Sequence, residues 1–116
     1  MPSTQHIIAS SEGSAVAIAA GSQISTGGIP LVYLQNSGLG NTINPLLSLA
    51  DKEVYKIPMI LMIGWRGKPG IADEPQHVKQ GRVTTDILHA IEIPFKTLSS
   101  KSDEVVNWAI NKAKTT

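Results

Sequence analysis

The sequence predicts an α/β fold, an open and mostly parallel sheet with helices on both faces. Three observations lead to it. Short runs rich in Ile, Val and Leu alternate with longer segments whose apolar residues recur at helical spacing. The runs "IPLVYLQ" and "IPMILMIGW" are apolar almost throughout, the pattern of strands buried on both faces. Aromatic residues are confined to Tyr33, Tyr55, Trp65, Phe95 and Trp108, so the core must rest on Ile, Leu, Val, Ala and Met, a composition that suits helices packed on a parallel sheet.

In chain order, "HIIAS" is short and β-branched and reads as a first strand. "SEGSAVAIAAGSQIS" then carries small apolar residues at helical spacing before the stop at "TGG", and Ala15, Val16, Ala19 and Ala20 form a face that permits close backbone approach. "IPLVYLQ" is the second strand. "NTINPLLSLADKEVY" reads as a helix with Pro45 tolerable only near its first turn, and "IPMILMIGW" as the third strand, closed by Gly64. The stretch "RGKPGIADEPQ", with two glycines and two prolines, is too long and broken for an ordinary connector, and such ordered loops often carry function. "HVKQGRVTTDILHAIE" predicts one or two short helices, the second capped by Thr84 or Thr85. "IPFKTL" is a fourth strand. The amphipathic helix in "SSKSDEVVNWAINKAKTT" has Ser100 and Asp103 in capping-box-like spacing and lysines toward its C-terminal end.

The 116 residues allow one domain, residues 1–116. A net charge of +1 provides no bulk basic field, so nucleic-acid binding is not expected. With no cysteine there are no disulfides or thiolate metal sites, and a reducing, cytoplasmic location is expected. "MPSTQHIIASSEG" lacks the basic start and apolar core of a signal peptide, and "IPMILMIGW" is too short to span a bilayer, so no membrane role is expected. The apolar face of the final amphipathic helix would want one more strand beside it, which implies a partner or a further segment.

Ligands in open α/β sheets sit beyond the carboxyl ends of the strands. Three features should lie on that rim. The first is Glu12, at the head of a helix of small residues. It is either a plain dipole-favoured carboxylate or a partly buried acid of raised pKa, able to exchange a proton with a cofactor nitrogen. The second is the turn "QNSGLGNTINPL", whose "GLG" is neither a dinucleotide fingerprint nor a P-loop and reads either as a tight strand-to-helix turn or as bare backbone offered to a ligand. The third is the long loop, where Arg66 could grip an anionic head group through its fork of donors and His77 could transfer protons near neutral pH. The same segment reads equally as a solvated loop of mixed charge. His6 and His89 look structural, and no hydrolase triad or zinc-site spacing is present.

Taken together, "SSEGSAVAIAAG", "VYLQNSGLGNTINPLLSLAD" and "IPMILMIGWRGKPGIADEPQHVKQGR" closely resemble the thiamine-diphosphate-dependent 2-oxo acid decarboxylases, in particular those acting on phosphonopyruvate. The Glu-headed helix is shared widely among thiamine-diphosphate enzymes, whereas "GWRG" followed by "DEPQH" is more particular to the phosphonopyruvate and sulfopyruvate enzymes. The resemblance implies a pyrimidine-binding domain, one of two related α/β domains that clasp the cofactor between subunits. It places Glu12 on the glutamate that hydrogen-bonds the aminopyrimidine ring and favours its imino tautomer. Gly38, Leu39, Gly40 and Asn41 fall in the segment lining the pyrimidine pocket, with Asn36 or Asn41 orienting the ring or the substrate. Arg66, Gln76 and His77 match the loop expected near the substrate end; from their charge and position, rather than from the resemblance, Arg66 and Gln76 are expected to bind substrate and His77 to have a catalytic role.

The implied reaction converts 3-phosphonopyruvate to phosphonoacetaldehyde and carbon dioxide. Sulfopyruvate is the rival substrate, and a catalytically silent association domain the reading from another class. Neither "GDG" nor "NN", the family's diphosphate and magnesium anchors, occurs in the sequence. The chain by itself is therefore expected to hold no metal, and to need a pyrophosphate-binding domain or subunit in a homo- or hetero-oligomer.

Overall fold

The structure, a computed structural model, describes residues 5–98 and 101–115. It is an α/β arrangement built on two parallel strands. Helix α1 (Glu12–Thr26) starts where Ser11, in extended backbone, accepts a hydrogen bond from the Ser14 N–H, and ends at Gly27, whose φ of 76° only glycine adopts readily. The small face expected of this helix is its buried face: Val16, Ala19 and Ala20 are covered.

Strands β1 (Leu31–Gln35) and β2 (Ile60–Gly64) pair in parallel, from Leu31 opposite Ile60 to Gln35 opposite Gly64. Ala19 of α1 packs on Val32 and Leu34, with Ala15, Met59, Leu61 and Ile63 around them, and this contact is the centre of the core. The expectation of two-sided burial is corrected for β1. Val32 and Leu34 are covered by α1, but Leu31 and Tyr33, on the other face, are 54% and 71% exposed. The strand carries apolar residues on both faces while the described chain covers one.

The connection from β1 to β2 departs from the single helix expected. It runs as a 3-10 segment (Asn36–Thr42), a short α2 (Ile43–Pro45) and a π turn (Leu46–Ala50). Pro45 lacks the N–H that an α-helix would need there, and Gly38 and Gly40 are poor helix formers, so the backbone tightens before the proline and widens after it.

Helix α3 (Pro75–Ala90) is one unbroken helix with proline at its start. Thr84 is therefore no cap. It is buried mid-helix, where its hydroxyl donates to the Gln80 carbonyl at 2.6 Å. Helix α4 (Ser102–Thr115) lies against β2 and carries Asp103 and Glu104 in its first turn and Lys112 and Lys114 in its last. Of the expected Ser100–Asp103 box, Ser100 lies outside the described residues.

Two expected strands are absent among the described residues. Residues 6–10 form no ladder, and Ile7 and Ile8 are 64% and 88% exposed. Residues 93–98 are irregular. Pro94 withholds a ladder donor there, Phe95 meets the His89 ring edge-on at 5.0 Å, and the Lys96 ammonium sits 5.0 Å from the centre of Trp108. No described helix is long and apolar enough to cross a membrane.

Candidate functional site

Two side-chain clusters flank the 3-10 segment that leaves β1. The first gathers Glu12, Gly38 and Asn41. Glu12 is the first residue of α1 and half-buried, and its Oε2 accepts a hydrogen bond of 3.1 Å from Asn41 Nδ2. Gly38 lies so close that a Cβ there would fall on the Glu12 side chain, and a Cβ on Gly13 would stand 2.9 Å from the Asn41 carbonyl oxygen. Both positions must be glycine for the head of α1 to touch the 3-10 backbone.

Gly40 differs, since a Cβ there would meet open space. Leu39 is buried in the core and its carbonyl accepts from the buried Thr42 hydroxyl at 2.6 Å, so it anchors the segment from below. The Glu12 carboxyl is held below, not above, the usual glutamate range, first by the Asn41 amide and then by backbone N–H, which outweigh its partial burial. That corrects the raised pKa considered from the sequence.

The second cluster follows β2. Asp73 accepts from Arg66 Nε at 2.9 Å and from Arg66 Nη2 at 2.8 Å, a two-point pairing. It also accepts from the Gly67 N–H at 2.9 Å and the Glu74 N–H at 2.7 Å, and lies 3.1 Å from His77 Nδ1. These donors, led by Arg66, hold Asp73 far below the usual aspartate range. The long loop is thus ordered around one carboxylate. It is also pinned to α3: Gly67 and Gly81 cross so closely that a Cβ on Gly81 would overlap the Gly67 carbonyl, and Trp65 Nε1 donates to the Gly81 carbonyl at 2.8 Å.

Of the residues singled out from sequence, Arg66 and His77 come together through Asp73, and Gln76 is exposed in the first turn of α3. Asn36 plays another part. It is 1% exposed, and its Nδ2 donates to the Arg66 carbonyl at 2.9 Å and to Thr84 Oγ1 at 3.0 Å, while its Oδ1 accepts from the Arg66 N–H at 3.2 Å. Both amide hydrogens are taken by the protein, so Asn36 joins β1, the loop and α3 and has no donor left for a substrate. Asp73 is the organising residue that sequence reasoning passed over as mere loop charge. Its place seven residues after Arg66 and four before His77 was the available signal. Among the described residues no three metal-ligating side chains converge.

The family described as thiamine pyrophosphate enzyme, N-terminal TPP binding domain, matches residues 1–90. The phosphonopyruvate decarboxylase of Streptomyces viridochromogenes is 40% identical over 104 residues, covering 90% of this chain and 25% of that protein. The phosphonopyruvate decarboxylase of Streptomyces hygroscopicus is 42% identical over 100 residues, 86% of this chain and 24% of that protein. Sulfopyruvate decarboxylase subunit alpha of Methanothermobacter thermautotrophicus is 38% identical over 102 residues, 88% of this chain and 59% of that subunit. The chain thus spans about a quarter of the length of the two Streptomyces relatives. No solved structure matches. Glu12, the Gly38–Asn41 segment and the Arg66–His77 cluster all lie inside the matched region, and the chain belongs to the family of thiamine pyrophosphate enzyme N-terminal TPP-binding domains.

Proposed function

We propose that this chain supplies the pyrimidine-binding side of a thiamine-diphosphate-dependent decarboxylase. The enzyme converts 3-phosphonopyruvate to phosphonoacetaldehyde and carbon dioxide, and is completed by a pyrophosphate-binding domain or subunit that holds diphosphate and magnesium. The observation that carries the reading is the Glu12 carboxylate, set at the head of α1 against a glycine that leaves no room for a Cβ.

The residues present fit the pyrimidine end of the cofactor. A carboxylate offers about four lone-pair sites, and the single Asn41 hydrogen bond leaves acceptor capacity for a ring nitrogen that carries a hydrogen; a bare ring nitrogen would instead need the protonated carboxyl as donor. When bound, the cofactor supplies the electron sink for loss of carbon dioxide. Glu12 would hold the ring through its carboxyl, Asn41 keeps that carboxyl oriented, Gly38 makes room for the Glu12 side chain, and Gly40 leaves backbone uncovered beside it. Covering the rim with a partner domain would desolvate Glu12 and raise its pKa from the depressed value, favouring the protonated form that donates to a ring nitrogen.

At the loop, Asp73 occupies the Nε and Nη2 edge of Arg66, so the guanidinium has its outer Nη edge for an anionic head group. Gln76 stands exposed one residue before His77 and would add a neutral donor, while His77 exchanges the proton that the product requires.

The two relatives named for phosphonopyruvate support that substrate. The relative named as a sulfopyruvate decarboxylase subunit favours a second reading, a sulfonate head group and an enzyme of more than one subunit. The test is calorimetric titration of the chain with thiamine diphosphate and magnesium, alone and with a pyrophosphate-domain partner, followed by turnover of both keto acids. Binding only with the partner and preferred turnover of phosphonopyruvate are expected. Glu12→Gln in the assembled enzyme should lower turnover by about 100-fold or more with the fold intact. Turnover like the wild type would refute the role of Glu12, a preference for sulfopyruvate the choice of substrate, and binding in neither case the cofactor itself.

A further inference from the structure

The loop cluster carries one more assignment, and it rests on the proton-transfer role just proposed for His77. We infer that Asp73 is a positioning residue that locks His77 in the Nδ1–H tautomer, leaving Nε2 as the nitrogen that exchanges a proton with the substrate.

Three observations support it. Four donors other than His77 converge on Asp73, two from Arg66 and one each from the Gly67 and Glu74 N–H groups, so its two oxygens are already surrounded by hydrogens. A carboxylate so placed is ionised and has no proton to give. The 3.1 Å contact with His77 Nδ1 is therefore a hydrogen bond in which the imidazole donates. The opposite nitrogen, Nε2, has no hydrogen-bond partner among the described residues. Finally, the ring is held in place: the His77 side chain is 15% exposed and that of Asp73 is 13% exposed, and the loop bearing Asp73 is fixed to α3 by the crossing of Gly67 and Gly81. An imidazole oriented by a carboxylate on one nitrogen presents the other as a base when neutral and as an acid when protonated. A loop carboxylate that only paired Arg66 would leave the tautomer of His77 free.

The test reads the tautomer directly by long-range nitrogen–proton NMR of the nitrogen-15-labelled full chain, at about pH 8, above the ordinary histidine range. His77→Gln identifies the signal, and His6 and His89 serve as internal controls. In the wild type, His77 should show a protonated Nδ1 and a bare Nε2. In Asp73→Ala it should shift to the Nε2–H form that an unrestrained imidazole side chain favours, with the other two rings unchanged. A wild-type His77 protonated on Nε2, or a pattern untouched in a folded Asp73→Ala, would overturn the assignment. If that variant does not fold, the wild-type spectrum alone decides. No partner, cofactor or substrate enters the measurement. The tautomer can therefore fail while the decarboxylase reading stands, and turnover can fail while the tautomer holds.

Discussion

Asn36→Ala should destabilise the chain by about 3 kcal/mol, an effect worked from the three hydrogen bonds that the side chain makes. Truncation deprives the Arg66 peptide of both partners, its carbonyl losing the 2.9 Å donor and its N–H the 3.2 Å acceptor. Thr84 loses only a donor to its oxygen, because its own proton still goes to the Gln80 carbonyl. An unsatisfied buried group costs about 1–3 kcal/mol, and because these contacts are half-buried the low end applies to each half of the Arg66 peptide. The void left by the amide adds roughly 1 kcal/mol. Against a typical domain stability of about 5–15 kcal/mol this is a large fraction, and it corresponds to roughly 10 °C in Tm for a chain of this size. The assay is urea unfolding followed by circular dichroism, with a lower midpoint at unchanged slope. Thr84→Val, which removes one partner and leaves the other two bonds, should cost about 1 kcal/mol and couple to Asn36→Ala in a double-mutant cycle. A loss below about 0.5 kcal/mol for Asn36→Ala would refute the reasoning, since the side chain would then be exchanging protein partners for water without penalty.

Gly38→Ala must displace Glu12 and break its bond to Asn41, so it should cost about 1–3 kcal/mol, whereas Gly40→Ala, whose Cβ meets open space, should be nearly neutral. Equal unfolding midpoints for the two variants would contradict the packing described. The depressed pKa of Asp73 fixes a sign: its folded value lies below the ordinary 3.8, so its contribution is complete above that value and is lost as the pH falls toward the folded one. Protection of the Gly67 N–H in hydrogen exchange, corrected for the intrinsic rate, should stay level from about pH 7 to about 4 and fall below that; a fall already complete at about pH 5 would rule out Asp73 as the anchor.

The parts legible in the sequence were those fixed by local chemistry. Helix α1 announced itself through the small face and the "TGG" stop, and β1 and β2 through apolar runs closed by turns. The long loop was marked by glycines and prolines as more than an ordinary connector, and the structure has it ordered around Asp73. The parts that were not legible depend on partners distant in sequence. "HIIAS" and "IPFKTL" have strand composition, but a strand exists only with a ladder beside it, and composition does not say whether one is there. "IPLVYLQ" records that both faces are apolar, not that the described chain covers only one. Thr84 looked like a cap because a mid-helix threonine normally gains little; its reason for being there is Asn36, 48 residues away. Asn36 itself looked like a ligand group because an uncovered turn asparagine and a buried one read alike.

The two clusters are not independent. One backbone segment, Asn36–Thr42, carries both: Asn36 ties its first residue to Arg66 and Thr84, while Gly38 and Asn41 bring its later residues against Glu12. At about 2 Å of rise per residue in a 3-10 helix, the step from Asn36 to Asn41 is roughly 10 Å. In the site proposed above, the pyrimidine ring would lie at the Glu12–Asn41 end of that span and the keto acid at the Arg66–His77 end. The segment is stiff because its own middle is core: Leu39 is 1% exposed and Thr42 is fully buried and bonded back to it. A tight 3-10 segment, which a proline at 45 and glycines at 38 and 40 impose, fixes that spacing more firmly than a flexible glycine loop would. The glycines of "GLG" thus serve two purposes at different positions. Gly38 admits the Glu12 side chain, and Gly40 leaves the rim beside Asn41 bare.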